Sequence, residues 1–211
     1  MLVDHTVREL LERVASGEPV PGGGSIAALC AALAAGLAEM VAHLTVGRLD
    51  DPALDREMND LIDRARALRS ELTRAVDHDS EAYSKVMQAY RGPKSTDELK
   101  RLRTEAIQEA LKEAARVPLA VAEMGVEILG LASIAVNKGN RNAVTDGLVG
   151  ALMARSAVLA AIANVRINLQ SIIDEGFVQK ARADSEFLEK KALAAEEMIR
   201  SAAQPKVTGG R

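Results

Sequence analysis

Aromatic residues are nearly missing from this chain: 211 residues include no tryptophan, two tyrosines and two phenylalanines. Without them there is no stacking platform for nucleobases, and a core must be built from aliphatic side chains and methionine. Cysteine is scarce as well. Cys30 stands alone among alanines and leucines, which excludes an intrachain disulfide framework and fits a reducing, cytoplasmic setting. With no cation beside it to stabilise a thiolate, it reads as a core thiol rather than a nucleophile. His5, His43 and His78 lie far apart with no paired ligand spacing, so no metal site is expected. Neither charge dominates: 27 basic and 30 acidic residues are interspersed for a net charge of −3. A basic arm for nucleic acid is absent. The opening residues lack the basic end and apolar stretch of a secretion signal. The longest strongly apolar run, Ile26–Ala38, falls short of the ~20 residues a bilayer span needs. Neither nucleic acid nor membrane is therefore an expected partner.

What remains is helix-forming sequence, rich in Ala, Leu, Glu, Arg and Lys, with glycine and proline gathered at a few breaks. The pattern predicts helices over Val3–Ala15, Ser25–Val46, Pro52–Ala89, Ser95–Val136, Asn142–Ile173 and Phe177–Ala202. Pro52 suits a first helical turn, and Ser95-Thr-Asp-Glu98 has capping-box spacing. Pro118 is expected to kink or divide the fourth helix. Residues 1–203 read as a single helical domain, with Gln204–Arg211 as a flexible tail. The second helix is small and apolar on nearly every side, which predicts burial at the centre of the assembly. The fold class is all-α, a bundle of about six long helices around that alanine-rich helix. Surplus apolar helix surface favours a homodimer.

Four motifs carry candidate chemistry. Pro21-Gly22-Gly23-Gly24-Ser25 directly precedes the second helix. Glycines there permit close backbone approach, and free N–H groups at a helix start attract an anion or a carbonyl oxygen. A tight turn beneath another helix explains the same glycines equally well. Asn140-Arg-Asn142-Ala-Val-Thr-Asp146 opens the fifth helix with more polar groups than capping requires. Asn164 and Asn168, four apart among Ala, Ile and Leu, share a face of that helix. A buried amide left unpaired is costly, so the pair serves either a ligand or an interhelical network. In Asp77-His-Asp79-Ser-Glu-Ala-Tyr83-Ser-Lys85, Asp79 and Tyr83 share a helical face, although a solvated surface is the default for such a run.

The four motifs, with Val117-Pro118 between them, occur in order and at compatible spacing from the first helix to the sixth. In this they resemble the formimidoyltetrahydrofolate cyclodeaminase and methenyltetrahydrofolate cyclohydrolase family. Thr145 stands where serine is more usual before Asp146, a change that keeps the hydroxyl. The resemblance implies an all-helical homodimer without metal or other cofactor, with a tetrahydrofolate derivative bound in a cleft of the helices. Bifunctional relatives carry an additional formiminotransferase domain. Transferase activity is accordingly not expected here, and a separate formiminotransferase is a candidate partner.

The reaction this implies closes N10 of 5-formiminotetrahydrofolate onto the formimino carbon, releasing ammonia and leaving 5,10-methenyltetrahydrofolate. The alternative is hydrolysis of the 5,10-methenyl compound to 10-formyltetrahydrofolate, and an alternative of another class is a non-catalytic folate-binding or dimerisation subunit. Both reactions need proton transfer at one carbon and a carboxylate facing positive charge. Asp146 is the first choice of carboxylate and Asp79 the second, with Tyr83 and Lys85 as proton donors or oxygen ligands. Asn142, Asn164 and Asn168 are assigned to the pterin amide edge, Asn140 to substrate binding beside them, and Gly22, Gly23, Gly24 and Ser25 to a substrate carbonyl or carboxylate. His43, four residues after Glu39, is the alternative base, but a packed helix-end histidine is the preferred reading. Asp146 and Asn164 are separated by 18 residues, ~27 Å along a straight helix. Two antiparallel copies of the fifth helix would bring these opposite ends together and place each site at a dimer interface.

Overall fold

The computed structural model describes residues 1–48 and 50–208. All regular structure among them is helical, as the composition predicts: α1 (Val7–Val14), α2 (Gly23–His43), α3 (Pro52–Tyr90), α4 (Asp97–Lys138), α5 (Val144–Leu169) and α6 (Glu175–Val207). Single 3-10 turns precede α1 at Leu2–Asp4 and α5 at Arg141–Ala143.

The expected first helix is interrupted because Thr6 takes the N-cap of α1. Its hydroxyl accepts from the Glu9 N–H while the Glu9 carboxylate accepts from the Thr6 N–H, a reciprocal cap that fixes the start. The cap of α4 likewise falls on Thr96, one residue after the expected Ser95. Pro118 neither ends nor divides α4; it sits buried within one continuous helix of 42 residues. α5 stops at Leu169, short of the predicted Ile173. α6 is capped by Asp174 and continues through Pro205 to Val207, so residues 204–207 are helical where an open tail was expected. Residues 209–211 of that tail lie outside the described residues.

Consecutive long helices run antiparallel. Glu39 on α2 meets Arg66 and Arg69 on α3, Lys138 on α4 meets Glu57 on α3, and Arg166 on α5 meets Glu189 on α6. Small residues set how closely these helices approach. A β-carbon on Gly125 of α4 would stand 2.6 Å from the Val158 Cγ2 of α5, and one on Gly150 would press on Leu37 of α2. Alanines 28, 31, 34, 35 and 38 on α2 are fully buried, and the Cys30 thiol donates to the Met153 carbonyl across the α2–α5 contact.

Burial of α2 is incomplete. Leu33 is 52% exposed, and Met40 and Leu44 share that open stripe. Alongside it, Val149 and Leu152 of α5 are also exposed. By length and composition alone, α2, α4 and the stretch Arg141–Leu169 are apolar enough to cross a membrane. Counting only one strongly apolar run understated this, because alanine and glycine keep the interrupting segments apolar. In the bundle that apolarity serves close interhelical packing.

Candidate active site

The glycine turn, the C-terminal part of α3 and the C-terminal half of α5 converge on a cavity of about 330 Å³. Gly22, Gly23 and Gly24 form one wall, Asp79 and Tyr83 a second, and Asn164 and Asn168 a third. Helical period explains which α3 residues arrive: Asp79, Ala82, Tyr83 and Val86 fall at i, i+3, i+4 and i+7, one face of a helix. Lys85 is two residues past Tyr83 and turns away, lining a separate groove with Glu109 and Glu113 of α4.

Asp79 is the centre of this arrangement. α2 begins at Gly23, and its N-cap, Gly22, has no side chain to satisfy the first N–H groups. The carboxyl of Asp79 reaches across from α3 to this first turn. Its Oδ2 accepts from the Ser25 hydroxyl at 3.0 Å, and Ser80 Oγ lies 3.2 Å from that hydroxyl. Ser25 is fully buried. A β-carbon at position 24 would stand 2.0 Å from Asp79 Oδ1, so glycine there is the condition for seating the carboxylate. The glycine turn thus receives a carboxylate of this chain, where the sequence pattern suggested a substrate oxygen.

Burial pushes the Asp79 carboxyl above its ordinary value, outweighing the opposite pull of the Ser25 hydroxyl and N–H. The group keeps its proton to higher pH than a free aspartate.

The asparagines are half-satisfied. Asn164 Nδ2 donates to the Ala160 carbonyl one turn back at 2.9 Å, and Asn168 Nδ2 donates to the Ala114 carbonyl of α4 at 2.7 Å. Both amide hydrogen donors are therefore partly consumed by the fold, and the Oδ1 acceptors remain for the cavity. With Asp79 they make an acceptor-rich chamber floored by Val86, Ala114 and Ile167. Tyr83, 39% exposed, stands at its mouth. Ser80, Val86 and Ile167 were not singled out from sequence, although Val86 was implied by the period that joins Asp79 to Tyr83.

The second polar motif goes elsewhere. Asn140 N–H donates to Thr45 Oγ1 and Asn140 Nδ2 to the Leu44 carbonyl, tying the α4–α5 turn to the end of α2. Asn140 Oδ1 in turn accepts from the Asn142 N–H. Asn140 and the exposed Asn142 therefore sit at the opposite end of α2 from the glycine turn, ~30 Å away at 1.5 Å per residue. Asp146, half-buried in the first turn of α5, is at that far end too and does not line the Asp79 cavity.

His43 is not poised as a base. Glu39, its expected orienting partner, instead receives Arg69 Nε at 2.8 Å and Arg66 Nε at 3.2 Å, with the exposed His43 ring 3.7 Å away. Asp77 departs from the expected solvated face: it is buried and accepts from the Leu2 N–H, anchoring the N-terminal turn to α3. Among the described residues, no group of three or more His, Cys, Asp or Glu gathers as a metal ligand set would.

A family model described as formiminotransferase-cyclodeaminase matches residues 6–186. A methenyltetrahydrofolate cyclohydrolase from Methylorubrum extorquens is 36% identical over 98% of this chain and 100% of its own length. A formimidoyltransferase-cyclodeaminase from Rattus norvegicus is 37% identical over 86% of this chain but only 34% of its own length. Among solved structures, a formiminotetrahydrofolate cyclodeaminase from Thermotoga maritima superposes with a TM-score of 0.88 at 28% identity, covering 98% of this chain and 100% of that one.

Proposed function

Because the chain belongs to the formiminotransferase-cyclodeaminase family in its cyclodeaminase part, we propose that it is an enzyme closing 5-formiminotetrahydrofolate to 5,10-methenyltetrahydrofolate with release of ammonia. The observation that carries this reading is a half-buried carboxyl of raised proton affinity, Asp79, facing a chamber that otherwise offers acceptors. N10 attacks the formimino carbon and forms the new C–N bond. The former formimino nitrogen, which carries one hydrogen, takes up the proton that N10 loses and a second from an acid, and leaves as ammonia when its bond to that carbon breaks. The carbon is left as a cation shared between N5 and N10. No oxidation state changes, so no redox cofactor is required; folate is the substrate.

Asp79 in its acid form supplies the proton to the departing nitrogen, and its conjugate base then faces the methenyl cation. Asn164 and Asn168 Oδ1 receive N–H groups of the pterin, and Tyr83 OH closes the mouth. Ser25, held beside Ser80, positions the carboxylate.

We further propose that the functional unit is a homodimer paired through α2 and α5. One protomer leaves Leu33 and Met40 of α2 and Val149 and Leu152 of α5 without cover. An antiparallel crossing of two α5 helices centred near Arg155 would set the partner subunit's Asp146 opposite Asn164, since both lie nine residues from that point. In that arrangement each site draws Asp79, Asn164 and Asn168 from one protomer and Asp146 from the other.

The cyclohydrolase reading has its own support, the full-length similarity to a stand-alone methenyltetrahydrofolate cyclohydrolase. There the same carboxylate, ionised, would take a proton from the attacking water. Purified protein given 5-formiminotetrahydrofolate should release one ammonia per methenyl compound formed. Turnover of the 5,10-methenyl substrate alone would transfer the assignment to hydrolysis, and turnover of neither would remove both.

A further inference from the structure

The Asn140-Arg141-Asn142 turn leaves a second cavity unexplained, about 580 Å³ in volume, at the end of α2 remote from Asp79. Arg48, Lys138, Arg141 and Lys206 line it together with Thr45 and Asn140, and no acidic side chain does. Four cations from three separate parts of the chain therefore face one concavity.

The frame that holds them is built rather than incidental. Thr45 is 2% exposed; its hydroxyl donates to the Val41 carbonyl and accepts from the Asn140 N–H, which locks the turn that carries Arg141. Lys206 Nζ donates to the Val136 and Asn137 carbonyls at the end of α4, at 2.7 and 3.0 Å. Lys138 is paired with Glu57, outside the lining. Among the described residues, Arg48 and Arg141 make no ion pair. Bringing these like charges together is unfavourable unless an anion lies among them, and a guanidinium fork matches carboxylate or phosphate oxygens in pairs.

We propose that this cavity binds an anion presenting clustered carboxylate or phosphate oxygens, with Arg48 and Arg141 as its direct ligands. Asn140 acts through the backbone, by aiming Arg141. Two sources offer this chemistry: a glutamate extension on the substrate's own tail, which rests on the folate reading above, or a free phosphate-type anion, which does not. The antiparallel dimer favours the first, because it carries the basic cavity of one protomer toward the Asp79 chamber of the other.

Calorimetric titration of the intact protein with inorganic phosphate and with a γ-linked triglutamate tests the site without any turnover. The double variant Arg48→Gln/Arg141→Gln should bind at least one probe about tenfold more weakly than wild type, the loss expected for charge-assisted pairs. Its melting temperature and its kcat on monoglutamyl substrate should be unchanged. If the tail is the natural ligand, wild type shows a lower KM for triglutamyl than for monoglutamyl substrate and the variant loses the difference. If the ligand is free, KM ignores tail length in both proteins while phosphate binding still falls. Equal binding of both probes by wild type and variant overturns the proposal. Absence of turnover in wild type would count against the folate reading alone, because the titration arm stands by itself.

Discussion

At position 79 the same carboxyl holds the Ser25 hydroxyl at the start of α2 and faces the cavity, and the two duties can be separated experimentally. Asparagine has nearly the same shape and keeps an oxygen that can accept from the Ser25 hydroxyl, so Asp79→Asn should keep the fold while removing the proton. We expect kcat to fall by about 10²–10⁴, the usual worth of a positioned acid, with no loss of melting temperature at neutral pH. The sign follows from burial. A carboxyl whose proton affinity is raised on folding leaves the folded state penalised when ionised, so stability declines as pH rises from 3.8 through the raised folded value. Removing the charge lifts that penalty, and the stability of the variant relative to wild type should be greater at pH 7 than at pH 3.5. Calorimetry at the two pH values decides it; a variant that loses as much stability at pH 7 as at pH 3.5 would show that the fold does not penalise the ionised carboxylate, and a larger loss at pH 7 that the fold favours it. Gly24→Ala probes the seat of the same group. Its new β-carbon meets Asp79 Oδ1, and we expect about 1–3 kcal/mol of destabilisation together with loss of activity, read by denaturant melts and ammonia release.

Between helices, the α2–α3 contact turns on Glu39. It is buried on α2, yet Arg69 and Arg66 of α3 outweigh the burial that would otherwise raise its proton affinity, and its carboxyl is held below the ordinary value of 4.5. A depressed acid contributes stability that is present above its unfolded value and lost as pH falls toward the lower folded one. Glu39→Gln should cost about 1–2 kcal/mol at pH 7, a figure set below that of a fully buried pair because both guanidinium groups are about half exposed. The deficit should shrink below pH 4, and urea melts at pH 7 and pH 3.5 measure it. This contact also shows what a sequence discloses. Glu39 and His43 were visible as an i, i+4 pair, but Arg66 and Arg69 come from another helix, and no periodicity within α2 points to them. The six helices were readable because Pro52, the Asn-Lys-Gly-Asn turn and the glycine run punctuate the chain. Which faces meet was not. Asp79, Tyr83, Asn164 and Asn168 could be paired along their own helices, whereas their convergence depends on α2, α3 and α5 packing side by side. For the same reason Asp146, apt by residue type and by its helix start, lies at the wrong end of the bundle for the chamber in its own protomer.

For the assembled molecule, the placement of Asp146 becomes a test of symmetry. If two α5 helices cross antiparallel, the site is shared, and a chain lacking Asp79 can still donate Asp146 to its partner. Asp79→Asn and Asp146→Asn homodimers should each be inactive. Denatured together in equal amounts and refolded, half of the dimers are mixed, and each mixed dimer carries one site with both carboxylates intact. Recovery of about a quarter of wild-type activity is then expected. If both carboxylates of a site came from one protomer, no intact site would form on mixing and activity would stay at the level of the separate variants. Leu33→Arg combined with Leu152→Arg supplies the complementary control. Two charges on the uncovered α2–α5 face should yield a folded monomer by light scattering, with the helix signal kept and the activity lost. An active monomer would refute the shared site while leaving Asp79 and its chamber in place, since those are formed within a single chain.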